Sequence, residues 1–71
     1  MIPLLLAPKD KELTIKKVTG GDRHIRFIEK LGLVEGAKVK LISVNGDDCV
    51  LTVKDVRLGI TRDLAANIMV Y

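Results

Sequence analysis

The side chains able to do chemistry in this chain are few: one histidine, His24, one cysteine, Cys49, and an adjacent acidic pair, Asp47-Asp48. Nucleophilic or acid–base catalysis needs such groups to converge, and no partner motif sits beside any of them. A single cysteine rules out an intramolecular disulfide and a thiolate zinc site within one chain, and it suits a reducing compartment. Asp47-Asp48 flanks a turn signal, Asn45-Gly46, so the pair reads as a solvated loop tip. Hard cations take about six or more oxygen ligands, usually from a longer loop. His24, Cys49, Asp47 and Asp48 are the sensible metal ligands and form no recognisable set, so no metal site, cofactor or catalytic residue is assigned. Gly20-Gly21 precedes a helix signal, but no GxxxxGK[ST] pattern follows and Asp22 would repel an anion there.

With catalysis set aside, binding is the remaining class. Charged residues make up 30% of the 71 positions, and the longest apolar run, Ile2-Pro3-Leu4-Leu5-Leu6-Ala7, is far short of the ~20 residues a membrane helix needs. The run also lacks a basic leader region and a cleavage site, so direct membrane insertion is not expected and the chain start reads as mature and cytoplasmic. Apolar residues make up 48%, which is high for a single small domain spanning 1–71, and partner binding or self-association is the outlet for the excess. The net charge of +3 is mild, and acids interleave with bases, as in Lys9-Asp10-Lys11-Glu12.

The elements that would position a binding surface follow from the breakers. Pro3, Pro8, Gly20-Gly21, Gly32, Gly36, Asn45-Gly46 and Gly59 cut the chain into strand-length pieces. Leu13 to Val18 alternates and then shifts phase at Val18, which predicts a strand with a bulge or bend near its end. Residues 22–31 read as a helix, with Asp22 as its N-cap. Ile25, Phe27, Ile28 and Leu31 lie to one side, and Asp22, Arg23, Arg26, Glu29 and Lys30 to the other. Gly32 supplies a left-handed stop, and Leu33 packs back over the last turn. Phe27 is expected to be packed by its helix.

Residues 37–54 read as a hairpin whose turn is decided by side-chain parity. A two-residue Asn45-Gly46 turn would pair Lys40 with Leu51 and mix charge with apolar residues on one face. A three-residue loop, Asn45-Gly46-Asp47, pairs Val39 with Val53, Leu41 with Leu51 and Ser43 with Cys49, and makes that face apolar, so the three-residue loop with a bulge is the expected turn. The other face then carries Ile42, Val44 and Val50. They are read either as residues buried by strand bending or as a partner patch. Val56, Leu58 and Ile60 alternate as a further strand, Thr61-Arg62-Asp63 caps a short helical turn through Ala66, and Ile68-Met69-Val70 closes the chain. The fold class is mainly β: a small SH3-like barrel, with one short α-helix after the first strand and a short helical turn before the last.

Ile25 to Gly36, with Leu31-Gly32-Leu33, Gly36 and Val39 in order, resembles the FeoA-type (ferrous iron transport protein A) family, where a short helix ends in Leu-Gly-Leu before a hairpin. Ile15-Lys16-Lys17-Val18-Thr19-Gly20-Gly21 is similar to the family's first strand and glycine turn. Leu58, Ile60, Ala66, Ile68 and Val70 match its ending. The family usually carries a basic residue where Phe27 stands and Arg where Thr61 stands. The resemblance implies a non-enzymatic SH3-like protein in the cytoplasm that binds or regulates a membrane ferrous-iron transporter with a GTP-binding domain. It also implies a link to transition-metal ions. The partner-binding residues expected on this reading are Phe27, Leu31 and Leu33 at the helix, and Ile42, Val44 and Val50 on the hairpin. Self-association through open strand edges is a further expectation. The competing reading is a basic SH3-like barrel that holds RNA through Lys16, Lys17, Lys38, Lys40 and Lys54. The scarcity of aromatics, Phe27 and Tyr71 alone, argues against base stacking but not against weak phosphate contact through those lysines.

Overall fold

Alternating aliphatic residues make strands that bury one face, and here they make six. The computed structural model describes residues 1–71. Its strands are β1 (Ile2–Pro3), β2 (Glu12–Val18), β3 (Lys38–Asn45), β4 (Asp48–Val53), β5 (Val56–Thr61) and β6 (Ile68–Val70). Helix α1 (Asp22–Lys30) follows β2, and a single turn, α2 (Arg62–Ala65), precedes β6. The pairing is antiparallel throughout, in the spatial order β1-β6-β2-β3-β4-β5. The mainly β class and the placing of both helices agree with the sequence reading.

β2 is the corner of the sheet. Glu12, Leu13 and Thr14 pair with β3, whereas Ile15, Lys17 and Val18 pair with β6. One strand thus serves two neighbours in succession, and the sheet folds around the core. A register shift between Ile15 and Lys17 lets the chain turn this corner, earlier than the change of phase at Val18 suggests.

The apolar run at the start builds two elements that its pattern does not announce. Ile2 pairs with Val70 and Pro3 with Met69, so β1 is an edge strand, where a proline lacking its N–H is tolerated. Leu4–Leu6 then form a 3₁₀ turn that places Leu4 fully inside the core. The core collects residues from every part of the chain, among them Leu4, Ile15, Ile28, Leu33, Leu51 and Ile68.

The β3–β4 hairpin corrects the predicted loop. Val39 pairs with Val53 and Leu41 with Leu51, as parity requires. Beyond Leu41, however, Ser43 faces Val50, Val44 faces Cys49 and Asn45 faces Asp48, leaving a two-residue Gly46-Asp47 turn. The extra residue sits in a bulge between Leu41 and Ser43 instead of in the loop. Gly46 takes φ +58° and Asp47 stays at negative φ, the type II′ pattern that follows strand twist. A bulge and a loop residue are interchangeable in parity, which is why counting side chains could not separate them.

Two helix starts differ from each other. Thr61 caps α2, its Oγ1 accepting from the Leu64 amide at 3.4 Å. At α1 the cap position is held by Gly21 with no side-chain hydrogen bond, so Asp22 is the first helical residue and not the cap. Its carboxylate still lies at the positive end of the helix dipole.

Candidate functional site

The chemically capable side chains stay apart. Cys49 is fully buried beneath the sheet, and burial pushes its thiol above the ordinary value of 9.0. His24 is exposed on α1. No group of three or more His, Cys, Asp or Glu side chains comes together as metal ligands would. Asp47 and Asp48 do share a surface depression with Thr61, Arg62 and Asp63. There Arg62 donates from Nη1 to the Gly46 carbonyl at 3.3 Å and from its amide to the Asp47 carbonyl at 2.8 Å. Those bonds tie the hairpin tip to α2.

The lysines named for phosphate contact do not form a basic track. Lys38 donates to Thr14 Oγ1 at 2.7 Å, and Lys38, Lys40 and Lys54 line a shallow depression shared with Glu12 and Asp55. Lys16 sits over the Tyr71 ring, 5.4 Å from its centroid, so one of the two aromatic faces is already covered by a cation. Single-strand binding needs successive open aromatic platforms, and this arrangement lacks them.

The six residues expected to bind a partner are divided by the fold. Phe27, expected to be packed, is 49% exposed. Leu31 is half-buried against the core. Leu33 is fully buried, which corrects its assignment as a contact: it has no surface to offer. Ile42 and Val50 are half-buried on the outer hairpin face. Val44 does not join them, because the bulge moves it opposite Cys49 and it packs on the core. The bulge thus accounts for Val44, whereas Ile42 and Val50 stay on the outer face.

What remains is a face of α1. Arg23, Arg26, Phe27 and Lys30 line one groove together with Asp22. The spacing i, i+3, i+4, i+7 places them on one side of a helix, and this was legible in the sequence. The apolar periodicity of the helix assigns Phe27 to the core-facing side and so hides this face.

A small, bent antiparallel sheet with one short exposed helix and a single helical turn defines a mainly β domain of the SH3-like barrel class. The chain belongs to the FeoA family, whose domain model matches residues 2–71. It is 30% identical over 70 residues to a Methanocaldococcus jannaschii protein assigned the name Fe(2+) transport protein A, covering 99% of this chain and 85% of the other. The solution structure of FeoA from Chlorobium tepidum superimposes with a TM-score of 0.86 at 25% identity, covering 99% of this chain and 69% of that one. The zinc-complexed FeoA of Stenotrophomonas maltophilia, described as a prokaryotic SH3 domain protein, gives 0.82 at 21% identity, covering 100% and 91%. No helix of the chain is long and apolar enough to cross a membrane.

Proposed function

We propose that this chain is an accessory protein of ferrous iron uptake, acting in the cytoplasm by binding a membrane ferrous-iron transporter that carries a GTP-binding domain, and that it is not an enzyme. The observation that carries the reading is the match of residues 2–71 to the FeoA domain, joined to 30% identity with a protein named for Fe(2+) transport. The scattered placing of His24, Cys49 and the Asp47-Asp48 pair supports binding over catalysis. The folded unit proposed is the whole of 1–71. Of the six residues named for contact, exposed Phe27 and half-buried Ile42 and Val50 keep surface for a partner.

The test is a pull-down with the purified, tagged chain against solubilised membranes and cytosol of its source cell, read by mass spectrometry. Recovery of a ferrous-iron transporter is the expected result. Recovery of ribosomes or RNA, lost steeply as salt rises because phosphate contacts release counterions, would replace it with the nucleic-acid reading.

A further inference from the structure

Resting on the partner-binding reading above, we infer that the outer face of α1 is a docking surface for an acidic peptide segment carrying an aliphatic anchor, with Phe27 as the apolar contact and Arg23, Arg26 and Lys30 as its cationic frame. At 100° per residue these four side chains span an arc of about 100°, and they line a common groove. All four are exposed, Phe27 at 49%. The molecule's side-chain hydrogen bonds engage other residues, so the two guanidiniums and the ammonium have donors to give.

The composition of this face resembles the centre of an interface. Aromatic residues and arginine are enriched at interface cores and supply most hot spots, and arginine forks a carboxylate through two parallel N–H bonds. Asp22 lines the N-terminal end of the groove, so the favourable site for a carboxylate lies from Arg23 toward Lys30. Charge complementarity therefore selects an acidic occupant, and Phe27 selects one with an aliphatic side chain beside the acids.

Two other anionic surfaces fit less well. A helix that lies on a membrane inserts a broad apolar face, but α1 turns Ile28 into the core and leaves Phe27 as its large exposed apolar residue. RNA would need further aromatic platforms next to Phe27, and the other aromatic, Tyr71, lies under Lys16.

The test is fluorescence anisotropy of the full chain with a fluorescein-labelled short peptide, two leucines flanked by glutamates, at physiological salt. R23E/R26E is compared with K40E/K54E, which changes net charge equally on another surface, and with F27A. All substituted side chains are exposed or half-buried, and circular dichroism checks that each variant is folded. The expected result is saturable binding, weakened about tenfold or more by R23E/R26E and about fivefold by F27A, and within about twofold of the parent for K40E/K54E. Absence of binding, equal losses in the two double variants, or no effect of F27A overturns the inference. So does Phe27-dependent sedimentation with phosphatidylglycerol vesicles without peptide binding. If R23E/R26E still recovers the transporter as well as the parent does, the docking surface is wrong and the accessory role stands. If the parent binds the peptide as described but recovers no transporter, the surface stands and the accessory role falls.

Discussion

The amide of Leu33 donates to the carbonyl of Ile28 at 3.3 Å, across the end of α1. One residue earlier, the amide of Gly32 donates to the carbonyl of Glu29 at 2.9 Å. These nested bonds satisfy carbonyls that the helix end leaves without partners, and they form the Schellman motif. Both Ile28 and Leu33 are fully buried, so the same turn that stops the helix delivers two side chains to the core. It also fixes which side of α1 is left outside, the side bearing Arg23, Arg26, Phe27 and Lys30.

Gly32 makes that turn at φ +89°, where an L side chain is strained, and there is open space around the position its Cβ would take. Gly32→Ala therefore costs backbone strain alone, about 1–2 kcal/mol. A thermal melt should show Tm lowered by about 5–15 °C. An unchanged Tm would mean that the motif does not hold the helix end.

Leu4 comes from a segment whose pattern suggested no element, yet it is fully buried, whereas Leu6 two residues on is 76% exposed. Leu4→Ala should cost about 2–5 kcal/mol through lost burial and the cavity left behind. That is a large share of the ~5 kcal/mol available to so small a domain. Leu6→Ala should change stability by less than about 0.5 kcal/mol. Urea denaturation of the two variants distinguishes them, and similar midpoints would contradict the placing of the first turn.

Cys49 should be silent to a thiol reagent at pH 8 in the folded protein and reactive once the chain is unfolded in urea. Burial raises its pKa in the folded state, so the unfolded chain releases the thiol proton first as pH climbs. This contribution to stability is therefore intact below the ordinary value of 9.0 and is lost as pH rises through the folded-state value. Urea midpoints measured across this range should fall for the parent more than for Cys49→Ala. Parallel curves would remove the thiol as the cause.

Lys54 and Asp55 form the two-residue turn between β4 and β5, with Val53 paired to Val56, and both adopt positive φ, 52° and 64°. Such a type I′ turn favours glycine at its second position. Asp55→Gly relieves the left-handed strain but loosens the unfolded chain, so the net gain should be at most about 1 kcal/mol. A raised urea midpoint with an unchanged slope is expected, and a lowered midpoint would show that Asp55 serves the turn in another way.

Elements whose signals are local were legible in the order of residues alone. Gly32 and Leu33 end a helix because only a few residues need to agree, and Thr61 caps α2 for the same reason. The apolar parity of Val39, Leu41, Leu51 and Val53 fixed their shared face because alternation leaves one register that buries them together. Tertiary structure decided whatever depends on distant contacts. The strand at Ile2–Pro3 exists because β6 arrives beside it from the other end of the chain. Val44 faces the core because a bulge, and not a longer loop, absorbs the extra residue. Leu33 is core and Phe27 is surface because the barrel takes up only part of the apolar side of α1. Local periodicity records that a side is apolar, but the width of the groove that receives it is set by strands far away in the chain.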